Sequence, residues 1–288
     1  MKKIYHRFIK SITKKILNIY LNIKNKDIKK TVKAVVFNSF KDQKYFLSIS
    51  DSVKYITFTD NISKNLFLHS TWNVHILYRG MKVIGKNFKR KTLINVGAHI
   101  GSTCIPAVKN HFKNAIAFEP VKKNFRLLAS NIYLNELENK IKLYNIGLSD
   151  KKKFLNLKVH ARNTGDYRVA RPNQNEIEKV ECDKLDNYTK KFNKKNSVIF
   201  MYAQGHEPDV LMGAIKTIKK KIPIITVFPP SLFSPNWFKK YSRLFKYYNY
   251  LYDLQSSKIS RKAFNKEELI KLYDKYNVGD DFTDILII

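Results

Sequence analysis

From residue 91 onward, short apolar runs alternate with longer stretches in which apolar residues recur every three or four positions. Leu93-Ile94-Asn95-Val96, closed by Gly97, has the continuous apolar character of a strand buried on both faces. Residues 100–112 carry helical spacing. Ala115-Ile116-Ala117-Phe118 predicts a second strand, ending in Glu119-Pro120. Residues 121–134 predict a second helix with Phe125, Leu128 and Ile132 on one face, and residues 141–146 a third strand. A hairpin is expected from 154–159 and 179–182. A fourth strand at 198–202, a helix over 206–219, a fifth strand at 222–228 and a helix over 235–248 follow. Strands at 250–252 and 284–287 close the series. Alternation of this kind builds βαβ units, and right-handed crossovers then give an α/β fold with a doubly wound, Rossmann-like sheet.

The first 90 residues do not continue that rhythm. Residues 1–31 read as a basic amphipathic N-terminal helix. Within 1–21, Ile4, Phe8, Ile9, Ile12, Ile16 and Ile19 fall at helical spacing, with Lys2, Lys3, Arg7, Lys10 and Lys14 between them. Two readings stand: packing on the main domain with a solvated basic face, or peripheral contact with an anionic membrane surface. Residues 32–90 read as a lead-in or cap of short strands at 35–37, 45–47, 55–58 and 74–78. The sheet domain is expected to span 91–288. No run reaches the roughly 18 uncharged apolar residues of a spanning helix, and no secretory cleavage pattern follows the basic start.

Charge changes the picture of partners. The 288 residues hold 55 Lys and Arg against 23 Asp and Glu, a formal net charge of +32. Such a surface attracts polyanions. The positive residues are mostly Lys and are spread along the chain, whereas base and phosphate readers favour clustered Arg forks. Nucleic acid is therefore not the expected partner, while acidic glycans and anionic lipids stay open. With 44% hydrophobic residues the chain can bury a core. Cys104 and Cys182 are too few for a disulfide framework or a Cys-rich zinc site, so no metal is expected, and a reducing, cytoplasmic compartment is the simplest expectation.

Candidate chemistry sits where the first strand ends. Ligands of doubly wound sheets bind at the carboxyl ends of the strands. The turn Asn95-Val96-Gly97-Ala98-His99-Ile100-Gly101 has glycine for a tight bend and for close approach of the next helix. His99 and Ser102 stand where a dinucleotide fingerprint needs glycine, and no phosphate-cradling loop is present. Glu119, at the end of the next strand, can accept both hydroxyls of an unphosphorylated ribose. A ligand with an adenosine ribose and no phosphates is S-adenosyl-L-methionine. The alternative is an ordinary strand–helix turn.

Four ordered motifs carry a resemblance to the FkbM-type S-adenosylmethionine-dependent methyltransferases. They are Ile94 to Gly101 followed by Ala117-Phe118-Glu119-Pro120 with Asn124, Leu128, Asn131 and Asn135; Gly147-Leu148-Ser149-Asp150; Gln204-Gly205-His206-Glu207 with Val210, Leu211, Gly213 and Ala214; and Thr283-Asp284-Ile285-Leu286. The similarity covers roughly 91–288. It implies a class I methyltransferase sheet carrying an N-terminal helical and strand extension. Asn95, Gly97, His99, Gly101, Glu119 and Leu148 would bind the cofactor, with Glu119 on the ribose and Leu148 beside the adenine. It also implies O-methylation of a hydroxyl-bearing acceptor, such as a sugar of a glycan or lipid-linked saccharide.

Transfer to a hydroxyl favours a positioned base. Members of that family usually carry Asp where this chain has Tyr202 and Glu near Val227, so the expected carboxylates are missing. His206, with Glu207 beside it, is the remaining candidate catalytic pair. The alternative is that Glu207 complements a helix N-terminus and His206 is a satisfied surface residue. A member that has lost catalysis but still binds cofactor or glycan is the competing function, and an RNA methyltransferase a more distant one. Arg162, Arg168 and Arg171 stand in the hairpin insertion, where they grip an acidic acceptor or form a solvated cluster. His69, His75, His111 and His160 lack ligand spacing. Residues 228–233, with two prolines, predict an acceptor-side loop.

Overall fold

The computed structural model describes residues 22–39, 43–50, 52–69, 72–158, 163–170 and 177–288, together with Lys15, Tyr20 and Gln174. Apart from Lys15 and Tyr20, the predicted helix over 1–21 lies outside the described residues, as do Arg162, Arg171 and His160. Among the described residues, no helix is long and apolar enough to cross a membrane.

An eight-stranded sheet forms the centre. Its order is β5 (Ile141–Tyr144), β4 (Asn114–Phe118), β3 (Thr92–Val96), β10 (Ser197–Met201), β11 (Ile224–Phe228), β14 (Thr283–Ile287), β12 (Tyr250–Asp253) and β13 (Lys262–Ala263). The first five are mutually parallel, and β14 runs antiparallel to both β11 and β12. The chain winds from β3 outward through β4 to β5, then returns to β10 and winds the other way. The switch point is therefore the seam between β3 and β10.

Strand alternation sorts side chains onto two cores. Leu93, Ala115, Ala117, Val198, Phe200 and Ile225 face one layer, while Ile94, Val96, Ile116, Ile199, Met201 and Ile224 face the other. The first layer holds α4 (Cys104–Asn110) and α5 (Lys122–Leu134); the second holds α6 (Glu207–Met212), α7 (Ile215–Lys219), α8 (Trp237–Tyr241) and α9 (Lys266–Tyr276). Helices on both faces make the fold the doubly wound α/β sheet that the periodicity specifies.

The lead-in joins the first layer. It consists of α1 (Lys26–Asn38), the hairpin of β1 (Phe46–Ser50) and β2 (Val53–Thr57), α2 (Asn61–His69) and α3 (Val74–Ile84). Val53, Tyr55, Phe58, Ile62, Leu66, Ile76 and Met81 share one core with Leu93 and Leu128. Two expected strands are helical instead. Val35-Val36-Phe37 ends α1, where Phe37 is buried against Phe46 and Phe67. Val74 to Tyr78 opens α3, whose buried Ile76, Leu77, Gly80 and Met81 follow helical spacing. β-branched composition suggested strands at both sites, and packing overrode it.

The open edge of β2 is satisfied by side chains. The Ile56 amide donates to Asn131 Oδ1 (2.6 Å), and Asn131 Nδ2 donates to the carbonyls of Ile56 (3.1 Å) and Ile100 (2.9 Å). Asn135 repeats the arrangement on Lys54, at 3.0 and 2.7 Å. Two side-chain amides, one on α5 and one at its C-cap, thus stand in for a strand, as buried backbone groups require.

The helix expected over 206–219 is two helices. Gly213 separates α6 from α7, and a Cβ there would lie 1.9 Å from the Ser149 carbonyl oxygen. That carbonyl belongs to the segment after β6 (Gly147–Leu148), which pairs with β9 (Ile177–Asp183) beside the hairpin partner β7 (Lys153–Lys158). The helix expected over 235–248 is likewise shorter, α8 giving way to a 3-10 turn at Ser242–Leu244.

Candidate functional site

A cavity of about 550 Å³ opens at the carboxyl ends of β3, β4, β10 and β11, a size typical of small-molecule sites. Gly97 brings the seam together. Its φ is +73°, and a Cβ would stand 1.9 Å from the Tyr202 carbonyl oxygen, so no other residue fits there without moving the backbone.

The turn is locked to β4. Gly97 and Ala98 donate their amides to the Phe118 carbonyl, at 3.0 and 2.9 Å. His99, itself left-handed at φ +52°, donates its amide to Glu119 Oε2 (2.8 Å), while the Val121 amide donates to Glu119 Oε1 (3.0 Å). Glu119 thereby sits on the cavity wall with one lone pair of each oxygen engaged. Burial pushes its carboxyl up to about 7 against the pull of those amides.

The roof comes from elsewhere in the chain. Asp60 Oδ2 accepts the hydroxyl and the amide of Thr164, and Thr164 Oγ1 lies 2.9 Å from His99 Nε2. Asn124 Nδ2 donates to the Thr164 carbonyl (2.9 Å), and Gln204 Nε2 donates to the Gly165 carbonyl (3.0 Å). Residues 164 and 165 are therefore fastened to the lead-in, the glycine turn, α5 and the end of β10 at once. Burial holds His99 neutral, its pKa lowered to about 4. His99 Nδ1 and Asn124 Oδ1, buried atoms of two residues that line the cavity, have no hydrogen-bond partner among the described residues.

The candidate residues divide by place. Gly97, His99, Glu119, Leu148 and His206 line the cavity; Asn95, Gly101 and Glu207 do not. Asn95 is buried on β3, its amide 3.5 Å from the Phe200 carbonyl. Gly101 ends the turn before α4. His206 shares a 2.9 Å hydrogen bond with Ser149 Oγ, and burial is the main cause lowering its pKa. Glu207 is fully buried and folds its carboxylate back on its own turn, accepting the amides of Ala203 (2.6 Å) and Gly205 (2.9 Å). Both oxygens hold the strand-to-helix bend. Arg168 lines the cavity while paired to Asp166 at 2.6 and 3.0 Å. Pro229, Ser231 and Leu232, from the predicted acceptor-side loop, also line it, as does His75.

Asp284 is the residue that spacing missed. It stands directly opposite Val227 in the β11–β14 register and accepts the Tyr202 hydroxyl on Oδ1 and the Gln255 amide on Oδ2 (2.6 Å). The wall thus contains a carboxylate although β10 and β11 end without one. In the sequence it stands only as part of the closing-strand motif Thr283-Asp284-Ile285-Leu286, with nothing to tie it to Tyr202. Among the described residues, no group of three or more His, Cys, Asp and Glu is arranged to hold a metal ion.

The sequence profile of the methyltransferase FkbM domain matches residues 95–252, more than half of the chain. This chain belongs to the FkbM methyltransferase family. The match runs from Asn95 at the end of β3 to Tyr252 in β12, so it contains the glycine turn, Glu119, the hairpin insertion and the β10 turn. β14, with Asp284, lies beyond it, as does the whole lead-in. Among solved structures, an FkbM methyltransferase from Methylobacillus flagellatus KT is similar at 14% identity and a TM-score of 0.46, over 91% of this chain and 60% of that one. TYW2 of M. jannaschii in complex with AdoMet is similar at 11% identity and 0.42, over 85% of each chain. TYW2 of P. horikoshii in complex with MeSAdo is similar at 15% identity and 0.40, over 85% of this chain and 70% of that one. No curated protein matches the chain in sequence.

Proposed function

We propose that this FkbM-family chain is an S-adenosylmethionine-dependent O-methyltransferase whose acceptor is a sugar hydroxyl of a glycan or lipid-linked saccharide. The observation that carries the reading is the placement of Glu119. It is presented to a cavity at the switch point by the amides of His99 and Val121, one strand from a turn too tight for a side chain at Gly97. Each of its oxygens accepts one backbone amide, and the carboxyl lines the cavity where ribose hydroxyls would meet it. The residues present fit the rest of the cofactor. His99 Nδ1 and Asn124 Oδ1 are buried acceptors without donors, suited to an ammonium or amino group. Phe118, Ile146, Leu148 and Val121 give an apolar slot for a purine.

When bound, S-adenosylmethionine supplies an electrophilic methyl group on a sulfonium sulfur. The chain's own part is to hold the acceptor oxygen at near-attack distance, to exclude water and to receive the hydroxyl proton. The roof segment at 164–165 and the loop containing Pro229 and Leu232 enclose the space where an acceptor would lie. His206, bonded to Ser149, has a place in orienting that acceptor, and Glu207 positions the β10 turn.

Calorimetry with S-adenosylmethionine tests the cofactor, and transfer of labelled methyl to glycan, lipid-linked saccharide and RNA fractions tests the acceptor. Saturable binding, lost in Glu119→Ala, with label entering a saccharide supports the reading. Label entering RNA alone overturns the acceptor class. Binding without turnover on any fraction identifies a cofactor-binding member without catalysis, and no binding at millimolar cofactor removes the assignment.

A further inference from the structure

We infer that the Tyr202–Asp284 pair is the proton-accepting centre of this site, with the Tyr202 hydroxyl meeting the acceptor hydroxyl and Asp284 taking the proton through it; the inference rests on the proposed methyl transfer. The geometry is a row across three adjacent strands. Tyr202 follows Met201 at the end of β10, Val227 is the next residue over on β11, and Asp284 is paired with Val227 on β14. All three line the cavity. Val227 is apolar and leaves the row open, so the phenol of Tyr202 spans to the carboxylate of Asp284. Gln255 holds the other carboxylate oxygen, which fixes the group against rotation. A phenol that donates to a carboxylate still has acceptor lone pairs, and these are what a substrate O–H needs.

The step balances without any added reagent. The acceptor oxygen forms a bond to the methyl carbon as the carbon–sulfur bond breaks, and the electron pair of that bond stays on sulfur. The acceptor proton passes to Tyr202 Oη while the phenolic proton passes to Asp284, leaving a neutral phenol and a carboxylic acid. Burial and the charge of Asp284 hold the Tyr202 phenol well above its ordinary range, which disfavours a free phenolate and favours movement of the two protons together. Burial brings the Asp284 carboxyl up to about 6, nearer the basicity a general base needs close to neutral pH. The groups acting on the pair are Asp253, which raises Asp284; Arg79, which lowers it; and Glu207, which raises Tyr202.

The test uses the full chain in two stages. In the first, without cofactor, the aspartate carboxyl carbons are titrated by carbon-13 NMR. Asp284 is identified as the resonance absent in Asp284→Asn. It should titrate near pH 6, and Tyr202→Phe should shift its midpoint upward. A midpoint indifferent to Tyr202 overturns the pairing. In the second, S-adenosylmethionine affinity and methyl transfer to the labelled saccharide fraction are measured for wild type, Asp284→Asn and Tyr202→Phe. Both variants should keep cofactor affinity within about threefold and lose roughly 100-fold or more in kcat, the scale of a general base. The wild-type rate should rise with pH through about 6 and level off above it, and the rise should vanish in the residual activity of Asp284→Asn. Equal kcat in variant and wild type overturns the inference while the methyltransferase reading survives. A wild type that binds cofactor but turns over nothing also overturns it, and a wild type that fails to bind cofactor fails the functional reading instead.

Discussion

At the scale of single residues, the buried titratable groups around the turn give opposite pH signatures. Glu119 has a folded pKa near 7, above its ordinary 4.5, so the folded state holds a proton that the unfolded chain releases between those values. Its contribution therefore becomes less favourable as pH rises from 4.5 to 7. His99 is depressed from 6.5 to about 4, so its contribution is fully present above 6.5 and is lost as pH falls toward 4. Urea midpoints of wild type and Glu119→Gln at pH 5 and 7.5 should show the difference moving in the variant's favour at the higher pH. At a fixed low pH the variant should be weaker by about 1–3 kcal/mol, because its amide faces one of the two donating amides. Gly97→Ala should cost more than a helix-propensity change, at least about 2 kcal/mol in thermal denaturation, since its Cβ meets the Tyr202 carbonyl. Gly97 and Glu119 were legible in the sequence because turn and acid lie on consecutive strands. Asp284 stood in the closing-strand motif, but its pairing with Tyr202 was not legible, since the two are 82 residues apart and only the sheet order brings them together.

Among elements, the strands of the central sheet were readable to within a few residues, apart from the short edge strand β13, which was not expected. Buried parallel strands are continuous apolar runs, and that signal does not depend on what covers them. Helix limits were less readable. A lone glycine is tolerated inside a helix, so only the intruding Ser149 carbonyl reveals why Gly213 divides α6 from α7. The lead-in misread most, because Val74-His75-Ile76-Leu77-Tyr78 has strand composition and becomes helical through what it packs on. The motif asparagines 131 and 135 carried a meaning that spacing did not disclose, since they serve β2. Asn131→Ala should strand a buried amide and two carbonyls, costing about 2–4 kcal/mol in urea unfolding. Hydrogen exchange should accelerate at the Ile56 amide first, and Asn135→Ala should do the same at Lys54.

For the molecule as a whole, the cavity is assembled from distant chain segments, with the turn from β3, the roof from the hairpin insertion pinned to Asp60, and the far wall from β14. Gln204→Ala removes one pin of the roof, a cost of about 0.5–1.5 kcal/mol to local opening of that segment and not to global unfolding. It should raise proteolytic cleavage within 163–170 and speed cofactor release in stopped-flow measurements, while leaving the global urea midpoint nearly unchanged. The +32 charge belongs to this scale too. Binding to any long polyanion should collapse as salt rises from 50 to 200 mM, and equal collapse for RNA of unrelated sequence would mark it as unselective.

The amides that hold β2 act as a vernier between two unlike repeats. Four residues along a helix advance about 6 Å, and two residues along a strand advance about 6.6–6.8 Å, so Asn131 and Asn135 meet Ile56 and Lys54 in step. A one-residue slip of the hairpin would turn its bonding edge away from both teeth of that scale. Because Asp60 lies only three residues beyond the end of β2, the same gauge that docks the hairpin also sets how far the roof's anchor stands from the glycine bend.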